Sequence, residues 1–80
     1  MPERLQYGKK VVGAKQTAQA IRGGRALCIY VAGDADRKVT AAVLELAGEA
    51  GLEIVEISDM ESLGRACGID VKAAVAAIIL

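Results

Sequence analysis

The first regular pattern of the chain lies between Gly13 and the glycine pair at residues 23–24. Ala14, Ala18 and Ile21 recur there at spacings of four and three residues, which places them on one face of a helix. The other side of this helix carries polar groups: Lys15, Gln16, Gln19 and Arg22. The first turn combines long polar side chains with backbone N–H groups that lack helical acceptors, so this end can bind an anion. The alternative is an ordinary solvated surface helix.

Apolar runs predict the strands. Residues 26–32 are apolar without interruption, which is typical of a central strand covered on both faces. Residues 53–57, Glu-Ile-Val-Glu-Ile, predict a second strand, residues 75–80 form a third, apolar strand, and residues 9–12 form a brief extended stretch. A helical turn within residues 71–74, just before the last run, stays open as an alternative.

Two more helices are predicted between these runs. The longer one ends at Gly51 and has an apolar stripe at spacings of three and four, made of Val39, Ala42, Val43, Leu46, Ala47 and Ala50. The shorter one opens with a capping box, Ser58-x-x-Glu61, and ends at Gly68; its inner face consists of Met60, Leu63 and Cys67. Because helices and strands alternate, we expect an α/β sandwich with a mostly parallel or mixed sheet and helices on both faces.

Length and composition predict one small domain over residues 1–80, with residues 1–7 as a short helical or irregular lead-in. The net charge is zero, yet it is unevenly distributed. Residues 1–25 hold six basic residues and one acid, a net of +5, whereas residues 26–80 hold four basic residues and nine acids, a net of −5. Such asymmetry favours a basic patch for nucleic acid or another acidic surface, although an arm that is basic by chance explains it equally well. No segment has the length of a signal peptide or a membrane span, so we expect a cytoplasmic protein.

The residues that catalysis needs are scarce. The chain has no histidine and no nucleophile elbow or P-loop motif, so we expect no enzyme activity and no cofactor. Asp34 and Asp36 precede a helix, where carboxylates serve as N-caps more often than as metal ligands, and we expect no metal site. Cys28 and Cys67 lie in apolar contexts, so we expect both to be buried and outside any disulfide, as in a reducing compartment.

Three segments in order resemble one known family. They are Gly-Ala-Lys-Gln-Thr at 13–17, Val-Ala-Gly-Asp-Ala-Asp at 31–36 and Leu-Gly-Arg-Ala-Cys-Gly-Ile-Asp-Val at 63–71. The chain is similar in them to the kink-turn RNA-binding ribosomal proteins of the L7Ae type, especially the short bacterial YbxF-like members. The resemblance covers about residues 11–80. It implies a three-layer α-β-α sandwich with a four-stranded mixed sheet, and a partner RNA that contains a kink-turn with tandem sheared G·A pairs, ribosomal or other structured RNA.

The resemblance also implies a set of RNA-contacting positions. Lys15 and Gln16, which follow Gly13, match the pair that contacts the exposed guanine edges, and a lysine ammonium and a glutamine amide suit the O6 and N7 acceptors there. Gln19 stands where the family usually carries a lysine, and Arg37 stands where a proline often opens the next helix. The residues expected to take phosphates without reading sequence are Lys9, Lys10 and Arg22.

The connection Ile69-Asp70-Val71 matches the loop that covers the extruded bulge nucleotides of the kink-turn. Because it follows Gly68, it is expected to face water and to form a small apolar platform for an unstacked base. Packing of the two apolar side chains against the core is the alternative, and the pattern favours it less for Ile69 than for Val71.

Two other classes of function stay open. One is a protein–protein adaptor that uses apolar helix faces, and the other is a module that binds a small anion at the helix start near Lys15. RNA binding weakens with salt in proportion to the phosphates neutralised, whereas an apolar interface does not. We expect the protein to be a monomer.

Overall fold

The computed structural model describes residues 8–80 of the chain; the lead-in expected at residues 1–7 lies outside the described residues. The elements alternate between strand and helix as the sequence predicts. In chain order they are β1 (Lys10–Val12), α1 (Ala14–Arg22), β2 (Ala26–Ala32), α2 (Arg37–Glu49), β3 (Glu53–Ile57), α3 (Met60–Ala66) and β4 (Val75–Ile79). No helical turn precedes β4 within the described part of the chain, so that alternative is wrong.

The four strands form one mixed sheet in the order β1-β4-β2-β3. β4 pairs antiparallel with both of its neighbours, with Val12 opposite Ala76 and Tyr30 also opposite Ala76, while β2 and β3 are parallel. β2 lies inside the sheet, and all of its residues except Leu27 are buried. Its uninterrupted apolar run therefore reflects burial on both faces, as predicted.

Side chains of the sheet alternate between two apolar clusters, one on each face. On one face Cys28 and Tyr30 pack with residues of α3 such as Leu63. On the other face Ile29 packs with residues of α1 and α2 such as Ile21 and Val43. The three-layer α-β-α sandwich implied by the resemblance is confirmed, with α3 alone on one side and α1 and α2 on the other.

The buried stripe of α2 differs from the prediction. Thr40, Val43 and Ala47 are its buried residues, while Val39 is 45% exposed and Ala42 and Ala50 are exposed as well. A threonine can occupy the inner stripe because its hydroxyl donates to the carbonyl oxygen of Asp36 at 3.5 Å. The buried face of α2 is therefore rotated from the predicted apolar face toward Thr40. The pattern of apolar residues could not indicate this, because threonine is polar.

The start of α3 is capped by Asp59 and not by Ser58, so the predicted capping box is wrong. The Asp59 carboxylate accepts from the backbone N–H of Ser62 at 2.7 Å, and Glu61 pairs instead with Arg65 at 3.0 Å. This backbone hydrogen bond, before any other group, holds the pKa of Asp59 below its usual value of 3.8. Ser58 contributes only a hydroxyl that donates to Asp59.

Both cysteines are buried and neither forms a disulfide bond, as predicted. The Sγ of Cys28 lies 3.5 Å from the carboxylate of Glu53. Burial raises the pKa of the Cys67 thiol, and the charge of Lys10 opposes that shift. Among residues 8–80, no helix is both long and apolar enough to cross a membrane.

Candidate nucleic-acid interface

Three helix starts meet at one edge of the sheet. Each helix directly follows a strand, and β1, β2 and β3 all end at the edge where β4 begins. Backbone hydrogen bonds join these ends: Gly13 N–H donates to Val75 O at 2.8 Å, Ala32 N–H to Ala74 O at 2.9 Å, and Gly33 N–H to Ile57 O at 2.7 Å. We call this boundary, formed by Gly13 and residues 33–36, 58–59 and 73–75, the helix-start edge.

The start of α1 is open toward solvent. Its N-cap is Gly13, whose φ of 99° is a conformation that side chains disfavour, and no side chain in the described part of the chain caps this helix. The first-turn N–H groups therefore have neither a helical acceptor nor a cap. Lys15 and Gln16 are exposed in this same turn, and the first turn contains no acid. The structure thus shows an uncapped helix start beside an exposed lysine, and anion binding at this end stays a prediction.

The other two helix starts carry carboxylates. Asp36 accepts from the N–H of Lys38 at 2.8 Å at the start of α2, and Asp34 accepts from the N–H of Met60 at 2.8 Å at the start of α3. Asp59 is the N-cap residue of α3. Both aspartates that the sequence marked as caps do cap, but Asp34 serves α3 rather than α2. Beside β2 and β3 the helix-start edge therefore carries three carboxylates, and the exposed cations Arg37 and Lys38 follow in the first turn of α2. The start of α1 differs in having an exposed lysine and no acid in its first turn.

Residues 68–74, which follow α3 and which we call the Val71 segment, run back along that helix to the helix-start edge. Ile69 N–H donates to Gly64 O at 3.1 Å, and Ala73 N–H donates to Met60 O at 3.1 Å. Gly64 is buried, and a Cβ added to it would collide with the carbonyl oxygen of Val71. The segment therefore lies directly on the backbone of α3 and is fixed at both ends.

Within this segment the exposure of the two apolar residues is the reverse of the expectation, which favoured Ile69 as the more exposed one. Ile69 is partly buried and packs against the cluster that contains α3, whereas the Val71 side chain is 69% exposed. Asp70 between them is exposed. The reason is that the Ile69 N–H is held by Gly64 O beside the core, while Val71 meets Gly64 with its backbone. If this segment offers an apolar platform, that platform is Val71.

The remaining predicted site residues are spread over a wider surface. Gln19 and Arg22 are exposed and follow Lys15 along one stripe of α1, with Arg22 about 10 Å from Lys15 along the axis. Lys9 is exposed and Lys10 half-buried at the far end of β1, about 10 Å from Gly13. The structure thus gathers Gly13, Lys15 and Gln16 in one turn, and it keeps the four flanking residues apart from that turn.

Sequence reasoning missed two cations beside the Val71 segment. Arg65 and Lys72 line a surface depression of about 370 Å³, together with Glu61, Ile69, Asp70 and Val71. Nothing in the local pattern marked them, because they come together only when residues 68–74 fold back on α3. The one available signal was Gly64, a glycine inside a predicted helix, which often marks a close approach of another backbone.

The whole chain matches one family over residues 1–80, described as the ribosomal protein L7Ae/L30e/S12e/Gadd45 family. The protein therefore belongs to this family, as the sequence resemblance implied. An RNA-binding protein of Geobacillus sp. strain WCH70 is 48% identical over 75 residues, which cover 94% of this chain and 92% of that protein. The RNA-binding protein YbxF of Geobacillus stearothermophilus is 43% identical over 75 residues, with the same two coverages.

Among solved structures, the fold is similar to that of the 15.5kD RNA-binding protein of Giardia lamblia. The TM-score is 0.82 at 28% sequence identity, and the match covers 89% of this chain. The chain spans only 60% of that longer protein. The similar proteins named here share the description RNA-binding.

Proposed function

We propose that the protein binds and stabilises kink-turns in structured RNA, as part of a ribosomal or other ribonucleoprotein particle. One observation carries this proposal: the open start of α1, with Lys15 and Gln16 exposed, is joined by the Gly13–Val75 hydrogen bond to the strand that follows the Val71 segment. The polar side chains of Lys15 and Gln16, which can bind base edges, and the apolar side chain of Val71 thus lie on either side of the Gly13–Val75 hydrogen bond. A kink-turn presents guanine edges and unstacked bulge bases close together, and these two features match them.

Lys15 and Gln16 act as the base-reading pair in this proposal. The lysine ammonium donates to guanine O6 or N7, and the glutamine amide offers both a donor and an acceptor. Both side chains start from a helix turn whose backbone N–H groups favour an acceptor. The kink opens a groove that an ordinary A-form helix keeps too deep and narrow for side chains, so the same pair cannot read an unkinked duplex.

Charge along the helix-start edge sets the orientation of the RNA. Beside β2 and β3 the carboxylates of Asp34, Asp36 and Asp59 oppose the attraction of Arg37 and Lys38 for phosphates, whereas no acid in the first turn of α1 opposes Lys15. The flanking residues then take phosphates without reading sequence, and Gln19 contributes a neutral contact between them. These phosphate contacts are expected from Lys9, Lys10 and Arg22.

In this proposal the chain works as a single RNA-binding domain over residues 1–80. It acts as a monomer in the cytoplasm, binds RNA without catalysing a reaction and needs no cofactor. The family membership supports RNA binding.

Fluorescence anisotropy with a labelled kink-turn duplex tests the proposal. The control duplex has its G·A pairs replaced by Watson–Crick pairs and its bulge removed. We expect tight binding to the kink-turn alone, and log K falling linearly with log salt. Lys15→Ala should weaken binding by about 1–3 kcal/mol, whereas Lys38→Ala, a matched exposed lysine in the first turn of α2, should change it little. Equal affinity for both duplexes would contradict the proposal, and salt-independent binding of another protein would favour the adaptor.

A further inference from the structure

The depression beside the Val71 segment is lined by two apolar residues and by charged groups of both signs. Ile69 and Val71 supply the apolar part, and four charged residues complete the lining: Glu61, Arg65, Asp70 and Lys72. Its volume of about 370 Å³ lies within the range of sites that hold small organic ligands, about 300–1,000 Å³. The charges of the lining cancel, so this is not a general anion site.

Two of the four charged groups are already paired. Arg65 donates to Glu61 at 3.0 Å, one helical turn apart on α3. In the described part of the chain, no hydrogen bond or ion pair involves the side chain of Asp70 or of Lys72. The depression therefore presents one carboxylate acceptor and one ammonium donor that are available to a ligand.

The backbone that carries these two groups is held in place. Ile69 and Ala73, on either side of them, donate to carbonyl oxygens of α3. A Cβ on Gly64 would lie 3.4 Å from the Cα of Lys72, which shows how closely the segment rests on that helix. Fixed backbone positions reduce the conformational entropy that is lost when a ligand binds.

We propose that this depression is a guanine-selective subsite for an extruded bulge nucleotide, an inference that rests on the proposed function. The Asp70 carboxylate accepts from N1–H and the 2-amino group of guanine, and the Lys72 ammonium donates to O6. Val71 packs against the face of the base. Guanine is the base that places two adjacent donors beside an acceptor on its Watson–Crick edge, and unstacked RNA bases are read on that edge.

A phosphate fits this site less well than a base. The Asp70 carboxylate would repel a phosphate at the position where Lys72 attracts it, and Arg65 is engaged by Glu61. A carboxylate that accepts two N–H groups forms a charge-assisted pair, which is stronger than neutral hydrogen bonds. The combination of an acid, a cation and an apolar side chain therefore selects the identity of a base.

The test uses kink-turn duplexes whose bulge is all uracil, or carries one guanine, adenine or inosine at each bulge position in turn. At one position, guanine should tighten binding about tenfold over adenine or uracil, the effect of one bidentate base contact. Inosine lacks the 2-amino group and should bind with intermediate affinity. Asp70→Asn should abolish the guanine preference and favour adenine, whose edge matches an amide. Glu45→Gln, which removes an exposed acid of α2 outside the depression, should leave the preference unchanged.

The readout is the ratio of affinities for two RNAs, because removing any acid raises all RNA affinities alike. An unchanged ratio in Asp70→Asn, or equal affinity for every bulge sequence, would overturn the guanine subsite while leaving kink-turn binding intact. Failure of the wild-type protein to bind any of these duplexes would overturn the proposed function, and the subsite with it.

Discussion

Substituting Gly64 by alanine tests whether the Val71 segment rests on α3 as described. The new Cβ would collide with the carbonyl oxygen of Val71 and would lie 3.1 Å from its carbonyl carbon. Both atoms belong to backbone, which cannot rotate away as a side-chain tip can. The segment must therefore move outward, although the hydrogen bonds of Ile69 and Ala73 hold it on either side.

Two opposing terms set the size of this effect. Alanine is favoured over glycine inside a helix by about 1 kcal/mol. Overpacking a tight contact costs about 1–3 kcal/mol. We expect a net loss of about 1 kcal/mol in the free energy of unfolding, or about 4–8 °C in Tm for a domain of this size. RNA affinity should fall further than stability does, because the displaced residues include Val71.

Gly48 in α2 provides the matched control. It also lies inside a helix, but an added Cβ would meet nothing within 4 Å. Gly48→Ala should therefore raise the free energy of unfolding by about 0.5–1 kcal/mol and leave RNA binding unchanged. Thermal and urea unfolding followed by circular dichroism measures both variants. A stabilised Gly64→Ala protein that binds kink-turn RNA normally would refute the packing of the segment on α3.

Three further predictions concern single side chains. Ile69→Ser should lower Tm because it opens the core, whereas Val71→Ser should keep Tm and lower kink-turn affinity; the reverse outcome would restore the exposure expected from sequence. Thr17 is fully buried, and its Oγ1 has no hydrogen-bond partner in the described part of the chain. Thr17→Val should therefore raise the free energy of unfolding by about 1 kcal/mol in urea titrations, and a clear decrease would show that the hydroxyl does form a hydrogen bond. Asp59 has a depressed pKa in the folded state, so its contribution to stability should be fully present above its unfolded pKa of 3.8 and should be lost as the pH falls through the folded pKa. Urea unfolding of the wild type and an Asp59→Ala variant at about pH 2 and about pH 7 measures this, and an equal difference in unfolding free energy at both pH values would contradict it.

The order of helices and strands was predictable because the apolar pattern within each element reflects which of its faces are buried. The β2 run is apolar throughout since both of its faces are covered, and the stripe of α1 ends at glycines. Where two neighbouring residues can do the same task, the sequence does not decide between them. Ser58 and Asp59 are both good caps, and Thr40 and Val39 are both plausible inner residues of α2.

The arrangement of the site was less predictable, because it depends on contacts between distant segments. The pairing of β1 with β4 places Gly13 beside Val75, and no local pattern encodes that pairing. The exposure of Val71 follows from the close approach to Gly64, seven residues earlier in the chain. The resemblance supplied the residues of the proposed site, whereas the structure supplied their spatial order and showed that Lys72 lines the depression.

Folding of the RNA itself tests the central claim most directly. A kink-turn duplex carrying a fluorophore at each end reports the kink as a rise in energy transfer, and Mg²⁺-free buffer keeps the free RNA extended. Adding the wild-type protein should produce the kinked state, and a Lys15→Ala, Gln16→Ala double variant should require a concentration at least tenfold higher, since a good base contact contributes about 1–3 kcal/mol. A duplex that stays extended at saturating protein, or that folds equally well with the double variant, would contradict the claim that the start of α1 reads a kink-turn.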